Sequence, residues 1–267
     1  MKAASRAGER LDAWLVARGL VESREKAQGL VLAGLVRVDG IPVSKCGTKV
    51  RPDAEVELLA SGGPVGRGAL KLPAALDAFS IDVGGRIAVD VGASTGGFTE
   101  ALLSRGAARV YAVDVGYGQL HERLRGDPRV VTRERVNARQ LGPGVVPEPC
   151  GVASMDVSFI SVLKLLPALA SVLAPGADVV VLVKPQFEVG RFQVGRRGVV
   201  LDPALHRQSL LGVAEGARRE SYAVLGACPS PITGAEGNRE FFLHLRLAGA
   251  GLEGPALEEA VTRAVAP

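Results

Sequence analysis

The sequence predicts an α/β protein of two domains, a small α+β unit over residues 1–60 and, after a linker at 61–66, a larger α/β domain over 67–267. A change of pattern predicts this division. Two short amphipathic helices and a hairpin occupy the first part, whereas buried strands alternate with helices in the rest, which is typical of a doubly wound, mainly parallel sheet. Residues 60–64 between them are small and uncharged, and this indicates a flexible linker.

The composition is that of a globular protein and excludes several other classes. Hydrophobic residues make up 47% and charged residues 22%, so the chain can bury a core and is neither a disordered tail nor a fibrous repeat. A net charge of +4 permits an anionic partner without identifying one. Three widely spaced cysteines predict neither a disulfide framework nor a metal site, and they favour the reducing cytoplasm. Residues 1–10 hold no signal-peptide core, and prolines interrupt the longest apolar stretch, so we expect no membrane span.

The first domain is predicted from helical spacing followed by a turn signal. Apolar residues spaced three and four apart follow Arg10 and stop before Gly19, which predicts a short amphipathic helix. A second helix is predicted behind Ser23, ending at residue 34. The period then changes to two, and Asp39-Gly40 predicts a tight hairpin in a unit that closes near residue 59.

This domain resembles the S-four RNA-binding domain. The resemblance is carried by Arg10-Leu11-Asp12, Gly19-Leu20, Ser23-Arg24 and Val36-x-Val38-Asp39-Gly40. In that family, a helix pair and a hairpin present basic side chains to structured RNA, largely through phosphate contacts. Composition alone favours an ordinary solvated surface. The resemblance implies RNA contacts by the basic residues Arg10, Arg18, Arg24, Lys26, Lys45 and Arg67.

A glycine-rich turn follows the first predicted strand of the second domain, at 86–92. Its spacing, D-x-G-x-x-x-G-G, is neither the dinucleotide fingerprint nor a Walker motif. Such a turn lets the backbone approach a ligand, and Asp114, 24 residues after Asp90, can accept hydrogen bonds from both ribose hydroxyls. Taken alone, the residues are equally compatible with a plain turn between strand and helix. The residues predicted to bind a cofactor are Asp90, Gly92, Ala93, Ser94, Thr95, Gly96, Gly97, Phe98, Asp114 and Asp156.

The remaining elements continue the alternation. Strands are predicted at 109–113, 129–132, 152–156, 178–183 and 222–227, with helices at 162–173 and 203–216 among them. The last strand, 240–245, follows a connection too short for a crossover helix and is therefore predicted to run antiparallel to its neighbour. This strand set resembles that of class I methyltransferases, Rossmann-like enzymes with a mainly parallel seven-stranded sheet. The resemblance implies that S-adenosylmethionine is the cofactor.

Three ionisable residues are predicted to meet at one edge of this sheet. Asp156 and Lys184 end two parallel strands, and Glu240 begins the antiparallel one. Ligands of such sheets bind outside the carboxyl ends of the strands. Lys71 lies before the first strand, and its long side chain could reach the same edge from a preceding helix. Each residue alone is more often a solvated charge or a cap than a catalytic group.

Lys71, Asp156, Lys184 and Glu240 match the K-D-K-E tetrad of FtsJ-like ribose 2′-O-methyltransferases. The runs at 155–161, 183–188 and 237–242 further resemble the TlyA family, and the likeness extends from about Arg10 to Leu245. The resemblance implies methylation of cytidine 2′-hydroxyls in ribosomal RNA within ribosomal subunits, of the small and, for longer members, also the large subunit. Lys184 would act as the base or as an orienting donor held by Asp156. Lys71 would orient the ribose, and Glu240 would steady the lysines.

A basic loop follows Lys184 and is predicted to clamp RNA; outside the family context, a plain surface loop explains it as well. Its basic residues are Arg191, Arg196 and Arg197. One departure from the family is visible, because an aromatic residue common at the domain junction is replaced near Pro64.

Two other functions compete with an enzyme. One is a non-catalytic RNA-binding assembly factor, and the other is a membrane-active haemolysin, for which no long amphipathic segment is found.

Overall fold

The computed structural model describes residues 8–21, 23–32, 35–43, 45–58, 65–195, 198–234 and 236–266. It divides into two compact units, Met1–Arg67 and Gly68–Pro267. The division falls next to residue 67, where the second domain was predicted to begin. Most of the predicted linker lies outside the described residues.

The first unit is a helix pair with short antiparallel strands. Helices α1 and α2 match the predicted pair, and Gly19 takes the left-handed conformation after α1, with φ of 68°. Asp39 and Gly40 both have positive φ, as the predicted hairpin turn requires. The predicted ends at 34 and 59 lie outside the described residues. The elements are β1 (Glu9–Arg10), α1 (Leu11–Ala17), α2 (Arg24–Leu32), β2 (Val36–Val38), β3 (Ile41–Pro42), β4 (Lys49–Val50) and β5 (Val56–Leu58).

The second unit is built on a seven-stranded sheet. Its strands are β6 (Ile87–Val91), β7 (Arg109–Val113), β8 (Val130–Arg133), β9 (Cys150–Met155), β10 (Leu173–Val183), β11 (Tyr222–Pro229) and β12 (Phe241–Leu247). Their order across the sheet is β11-β12-β10-β9-β6-β7-β8. The five strands from β6 to β10 are parallel, whereas β12 runs antiparallel to both of its neighbours. The predicted mainly parallel sheet with a reversed last strand is confirmed.

Helices pack against this sheet, and four of them differ from prediction. They are α3 (Gly68–Ala78), α4 (Gly97–Ser104), α5 (Glu122–Arg125), α6 (Leu166–Ala170), α7 (Pro185–Glu188), α8 (Pro203–Arg219) and α9 (Gly254–Val265). The helix predicted at 162–173 is instead a 3-10 turn followed by the short α6, because Pro167 lacks the amide that a continuous helix would need. Helices α5, α7 and α9 were not predicted. For α9, Pro255 at its start and its apolar face, which packs on β11, are recognisable signals.

The central strands are buried on both faces, so their carboxyl ends open onto one edge of the sheet. Residues 179–183 of β10 have no exposed surface, as expected of a parallel strand covered by helices. In the part of the chain that the structure describes, no helix is long and apolar enough to cross a membrane.

Candidate active site

Asp90, in strand β6, holds the turn between β6 and α4 in place through its buried side chain. Its carboxylate is fully buried and accepts hydrogen bonds from Thr99 Oγ1 at 2.7 Å and Ser154 Oγ at 2.9 Å. Burial, which penalises the charged form, raises the pKa of Asp90 to about 7. The carboxylate therefore ties the start of α4 to the neighbouring strand β9.

Gly92 lets the turn pass very close to the end of β9. Its φ is 85°, and a Cβ atom at this position would overlap the carbonyl oxygen of Asp156. The amide of Asp156 in turn donates to the carbonyl of Val91 at 3.0 Å. Any larger residue at position 92 would separate the two strand ends, so this glycine is needed for the geometry of the edge.

Gly96 and Gly97 serve packing. Gly96 caps α4 in the left-handed conformation, with φ of 101°. A Cβ atom on Gly97 would lie 2.8 Å from the backbone nitrogen of Ala69 and 2.9 Å from Cα of Gly68. Helix α3 therefore contacts the start of α4 directly, and this contact places Lys71 of α3 near the turn.

A cavity of about 540 Å³ opens beside the turn, within the size range of small-molecule sites. Four of the residues predicted to bind a cofactor line it: Gly92, Ser94, Asp114 and Asp156. The other six do not line it: Asp90, Ala93, Thr95, Gly96, Gly97 and Phe98. The lining also includes residues that sequence reasoning missed, among them Gln119, Val136, Asn137, Ser158, Phe159, Ile160 and Leu165. Most of these follow β7, β8 or β9, so the rule that ligands bind beyond strand ends would have found them.

Asp114 is held so that its carboxylate faces this cavity. Oδ2 accepts the amide of Ser94 at 2.8 Å, and Oδ1 accepts the amide of Gly116 at 2.7 Å. Each oxygen keeps further acceptor capacity for a hydroxyl group. A fixed carboxylate opposite an apolar wall that includes Val136, Ile160 and Leu165 suits the ribose and adenine of S-adenosylmethionine.

Lys184 lies at the mouth of the site between two partners. Its Nζ forms an ion pair with Asp156 Oδ1 at 2.6 Å, and it donates a hydrogen bond to Ser158 Oγ at 2.9 Å. The approach to Asp156 lies outside hydrogen-bond geometry, so its attraction is mainly charge on charge. Ser158 was not among the predicted site residues, although it lies only three positions beyond the end of β9.

Lys71 and Glu240 form the second ion pair of the site. Lys71 Nζ donates to Glu240 Oε2 at 2.6 Å, and the two side chains are only 9% and 4% exposed. A Cβ atom on Gly234 would lie 2.6 Å from Glu240 Oε1, so this glycine leaves room for the carboxylate.

The sheet register brings the two ion pairs to one edge. Pairing between β10 and β12 ends at Val183 and Phe241, so Lys184 and Glu240 leave the sheet side by side. Asp156 follows β9, the other neighbour of β10. The four tetrad residues thus converge around the ends of three adjacent strands.

Glu188 connects the segments that carry Lys184 and Asp156. It lies on α7, directly after Lys184, and accepts hydrogen bonds from Ser161 Oγ at 2.7 Å and from the amide of Val162 at 3.0 Å. Burial raises the pKa of this carboxyl group. Sequence reasoning missed Glu188, because its partners belong to a loop 26 positions away.

The basic residues predicted to contact RNA have varied surroundings. Arg10 and Arg24 both bind Asp12, whereas Arg18 stacks on Trp14 with its Cζ 3.8 Å from the ring centre. Lys45 is exposed and Arg67 is partly buried. The side chains of Lys26 and Arg191, and residues Arg196 and Arg197 entirely, lie outside the described part of the chain. Among the described residues, no three His, Cys, Asp or Glu side chains group as a metal site requires.

The reversed seventh strand, the glycine turn and the carboxylate-lined cavity define a methyltransferase fold that uses S-adenosylmethionine. The FtsJ-like methyltransferase profile matches residues 64–247, and the S4 domain profile matches residues 9–56. The chain belongs to the FtsJ-like methyltransferase family, in its TlyA group.

Relatives match nearly the whole chain. The 16S/23S rRNA (cytidine-2′-O)-methyltransferase TlyA of Mycobacterium tuberculosis is 49% identical over 259 residues, which cover 96% of this chain and 97% of that protein. YqxC of Bacillus subtilis, described as a candidate rRNA methyltransferase, is 46% identical over 265 residues, covering 96% of this chain and 92% of its own length. A solved structure of a candidate hemolysin from Streptococcus thermophilus has a TM-score of 0.75 at 41% identity, covering 97% of this chain and 96% of its own.

Proposed function

We propose that this protein transfers a methyl group from S-adenosylmethionine to the ribose 2′-hydroxyl of cytidine in ribosomal RNA. The observation that carries the proposal is the Lys184–Asp156 ion pair, 2.6 Å long, at the edge of the cavity that suits the cofactor. The named activity of the mycobacterial relative gives the substrate class.

The chemistry requires alignment and removal of a proton. A ribose 2′-hydroxyl is a poor nucleophile at neutral pH, so the enzyme has to hold it in line and take its proton as the new bond forms. S-adenosylmethionine, when bound, supplies a methyl group already activated on a sulfonium. Asp114 would hold the ribose of this cofactor, and Gly92 would allow its close approach to the strand ends.

Lys184 is the group we place against the 2′-hydroxyl. Asp156 and Ser158 fix its Nζ from two sides. In its neutral form, reached by loss of one proton to solvent, the amine can accept the proton of the 2′-hydroxyl, whereas in its charged form it can only orient the hydroxyl as a donor. The buried Lys71–Glu240 pair lies at the same edge. In this proposal, Lys71 orients the ribose and the adjoining phosphate, and Glu240 holds the lysine in place.

The first unit would supply the docking contacts. We propose an S4-type domain over 1–60, a linker at 61–66 and a methyltransferase domain over 67–267, with RNA held by basic residues of both domains. The target would be ribosomal RNA within ribosomal subunits, of the small and also the large subunit, and the protein would therefore act in the cytoplasm. Loop residues Arg191, Arg196 and Arg197 are proposed RNA contacts on sequence grounds alone.

The decisive experiment is methyl transfer to purified ribosomal subunits from cells that lack the protein. With labelled S-adenosylmethionine, we expect label in ribosomal RNA, and mapping of ribose methylation should place it on a cytidine. Removal of residues 1–60 should leave cofactor binding intact and abolish transfer to subunits, because the docking contacts are lost. Transfer at the original rate by the truncated protein would contradict the role given to the first unit.

The same protein preparation and purified subunits also distinguish an enzyme from the two alternative functions. An RNA-binding assembly factor would bind subunits and transfer no methyl group. The Streptococcus relative is described as a candidate hemolysin. A protein with that activity would release dye from lipid vesicles. We expect transfer without vesicle leakage.

A further inference from the structure

We propose that Asp12 is a positioning residue of the RNA interface, which holds Arg10 and Arg24 as a pair of guanidinium groups for phosphates of structured RNA. The inference rests on the proposed RNA-binding function of the first unit. It assigns to an acidic residue a favourable contribution to the binding of a polyanion.

The geometry centres on one buried carboxylate. Arg10 donates to Asp12 from Nε at 3.1 Å and from Nη2 at 3.0 Å, and Arg24 donates from Nε at 3.1 Å. Gln28 Nε2 and the amide of Ala13 complete the set, at 2.9 and 3.0 Å. Five donors from two helices and from the residue preceding α1 therefore converge on one side chain, and together they fix its orientation.

Burial distinguishes this cluster from a surface ion pair. The side chain of Asp12 is 0% exposed, whereas those of Arg10 and Arg24 are 45% and 54% exposed. Hydrogen bonds, those from Arg10 above all, hold the pKa of Asp12 well below its usual range, so it stays charged at any physiological pH. Its charge is not shared with solvent, and water cannot easily replace either guanidinium.

Each arginine still has donors that Asp12 does not use. Arg10 turns Nε and Nη2 to Asp12, and Arg24 turns only Nε to it. A guanidinium has five N–H donors, so each group has donors beyond those that Asp12 accepts, and the geometry of that fork suits phosphate oxygens. Gly47 leaves room for the guanidinium of Arg10, because a Cβ atom there would lie 3.1 Å from Arg10 Nη1.

The buried carboxylate reduces two costs of placing a pair of arginines at an RNA interface, namely charge repulsion and loss of side-chain freedom. Two guanidinium groups this close repel each other, and a long side chain loses conformational freedom when it binds. Asp12 offsets one positive charge and orders both side chains before RNA arrives, while the pair keeps a net charge of +1. Arg51 shows the contrast, since its partners Asp39 and Asp53 are exposed and compete with any phosphate in open solvent.

The test is the affinity of full-length protein for ribosomal subunits. Asp12→Asn raises the net charge by one, so simple electrostatics predicts tighter binding, whereas we expect the Kd to rise at least tenfold. Asp53→Asn removes the same charge from an exposed site and should leave the Kd unchanged or lower. For Asp12→Asn, the KM for subunits should rise while kcat and cofactor affinity stay near those of the wild type.

Arg24→Lys keeps the charge and leaves Asp12 its other donors, so it remains informative if Asp12→Asn does not fold. We expect it to raise the Kd at least threefold with an unchanged salt dependence, because the fork is lost and the charge is not. Affinity equal to that of the wild type for Arg24→Lys, or for a folded Asp12→Asn, would overturn the inference. Failure of the wild type itself to bind subunits would instead contradict the proposed function.

Discussion

Lys71 and Glu240 lie 169 positions apart in the chain, yet their side chains form a buried ion pair 2.6 Å long. The pair joins the first helix of the methyltransferase unit to the residue that precedes its last strand. Removing one partner of such a pair leaves an uncompensated buried charge, whereas removing both need not destabilise the fold.

The first prediction separates stability from activity at this pair. Lys71→Met alone should lower the free energy of unfolding by about 3 to 5 kcal/mol, because Glu240 is left buried without its cation. Adding Glu240→Leu should restore most of that stability. Denaturant unfolding measures both, and single-turnover methyl transfer should stay low in the double variant. A double variant with normal transfer would exclude the pair from the mechanism.

The second prediction concerns the proton at Lys184. Arg keeps the positive charge and cannot act as a base, whereas Met removes both properties. If proton removal is essential, both variants should lose methyl transfer by roughly 100-fold or more with cofactor and subunit binding near normal. If Lys184 only orients the hydroxyl, Arg should keep a sizeable part of the rate. Near-normal single-turnover transfer by Lys184→Met would show that this lysine has no chemical role.

The third prediction uses two glycines that share a positive φ. Gly92→Ala places a Cβ atom against the carbonyl of Asp156, whereas Gly85, with φ of 69°, has nothing within 4 Å. Both substitutions carry the cost of a left-handed residue, about 1 to 2 kcal/mol. Only Gly92→Ala should also abolish cofactor binding, measured by calorimetry. Equal cofactor affinities in the two variants would contradict the close approach that we derive for the turn.

The fourth prediction tests the carboxylate of the cofactor cavity. Asp114→Ala should weaken S-adenosylmethionine binding by about 1.5 to 3 kcal/mol, the range for a charge-assisted hydrogen bond. That corresponds to a Kd roughly 10- to 150-fold higher. Affinity for ribosomal subunits should barely change. Unchanged cofactor affinity would show that Asp114 has another role.

The fifth prediction is a pH dependence of stability caused by Asp90. Its pKa rises from the ordinary 3.8 to about 7 in the folded protein, so between these values the folded state holds a proton that the unfolded chain has lost. The contribution of Asp90 to stability is therefore complete below about pH 4, falls as the pH rises to about 7, and is level above that. Unfolding of the wild type and of Asp90→Asn, compared at each pH, should differ with this slope. A constant difference would contradict the raised pKa.

Local elements followed closely from the sequence. The strand at 109–113 has its predicted bounds, and α8 begins at Pro203 as expected, because periodicity and turn residues act over a few positions. The continuous helix predicted over 162–173 is wrong, because Pro167 has no amide to donate within it and lies in the first turn of α6 instead of in the middle of a longer helix. Helix α9 follows the last predicted strand, so it lies outside the predicted alternation of strands and helices.

Sequence by itself determined the two-part organisation, the parallel sheet with its reversed last strand, and the residue types available at the strand ends. Only the tertiary structure decided which charges meet. Asp12 is buried between two arginines and Asp53 is exposed, although both are aspartates of the same small unit. Likewise, Ser158 contacts Lys184 and Glu188 contacts the amide of Val162 across 26 positions each. A spacing rule tells which face a residue occupies, but partners and burial depend on distant segments that fold against it.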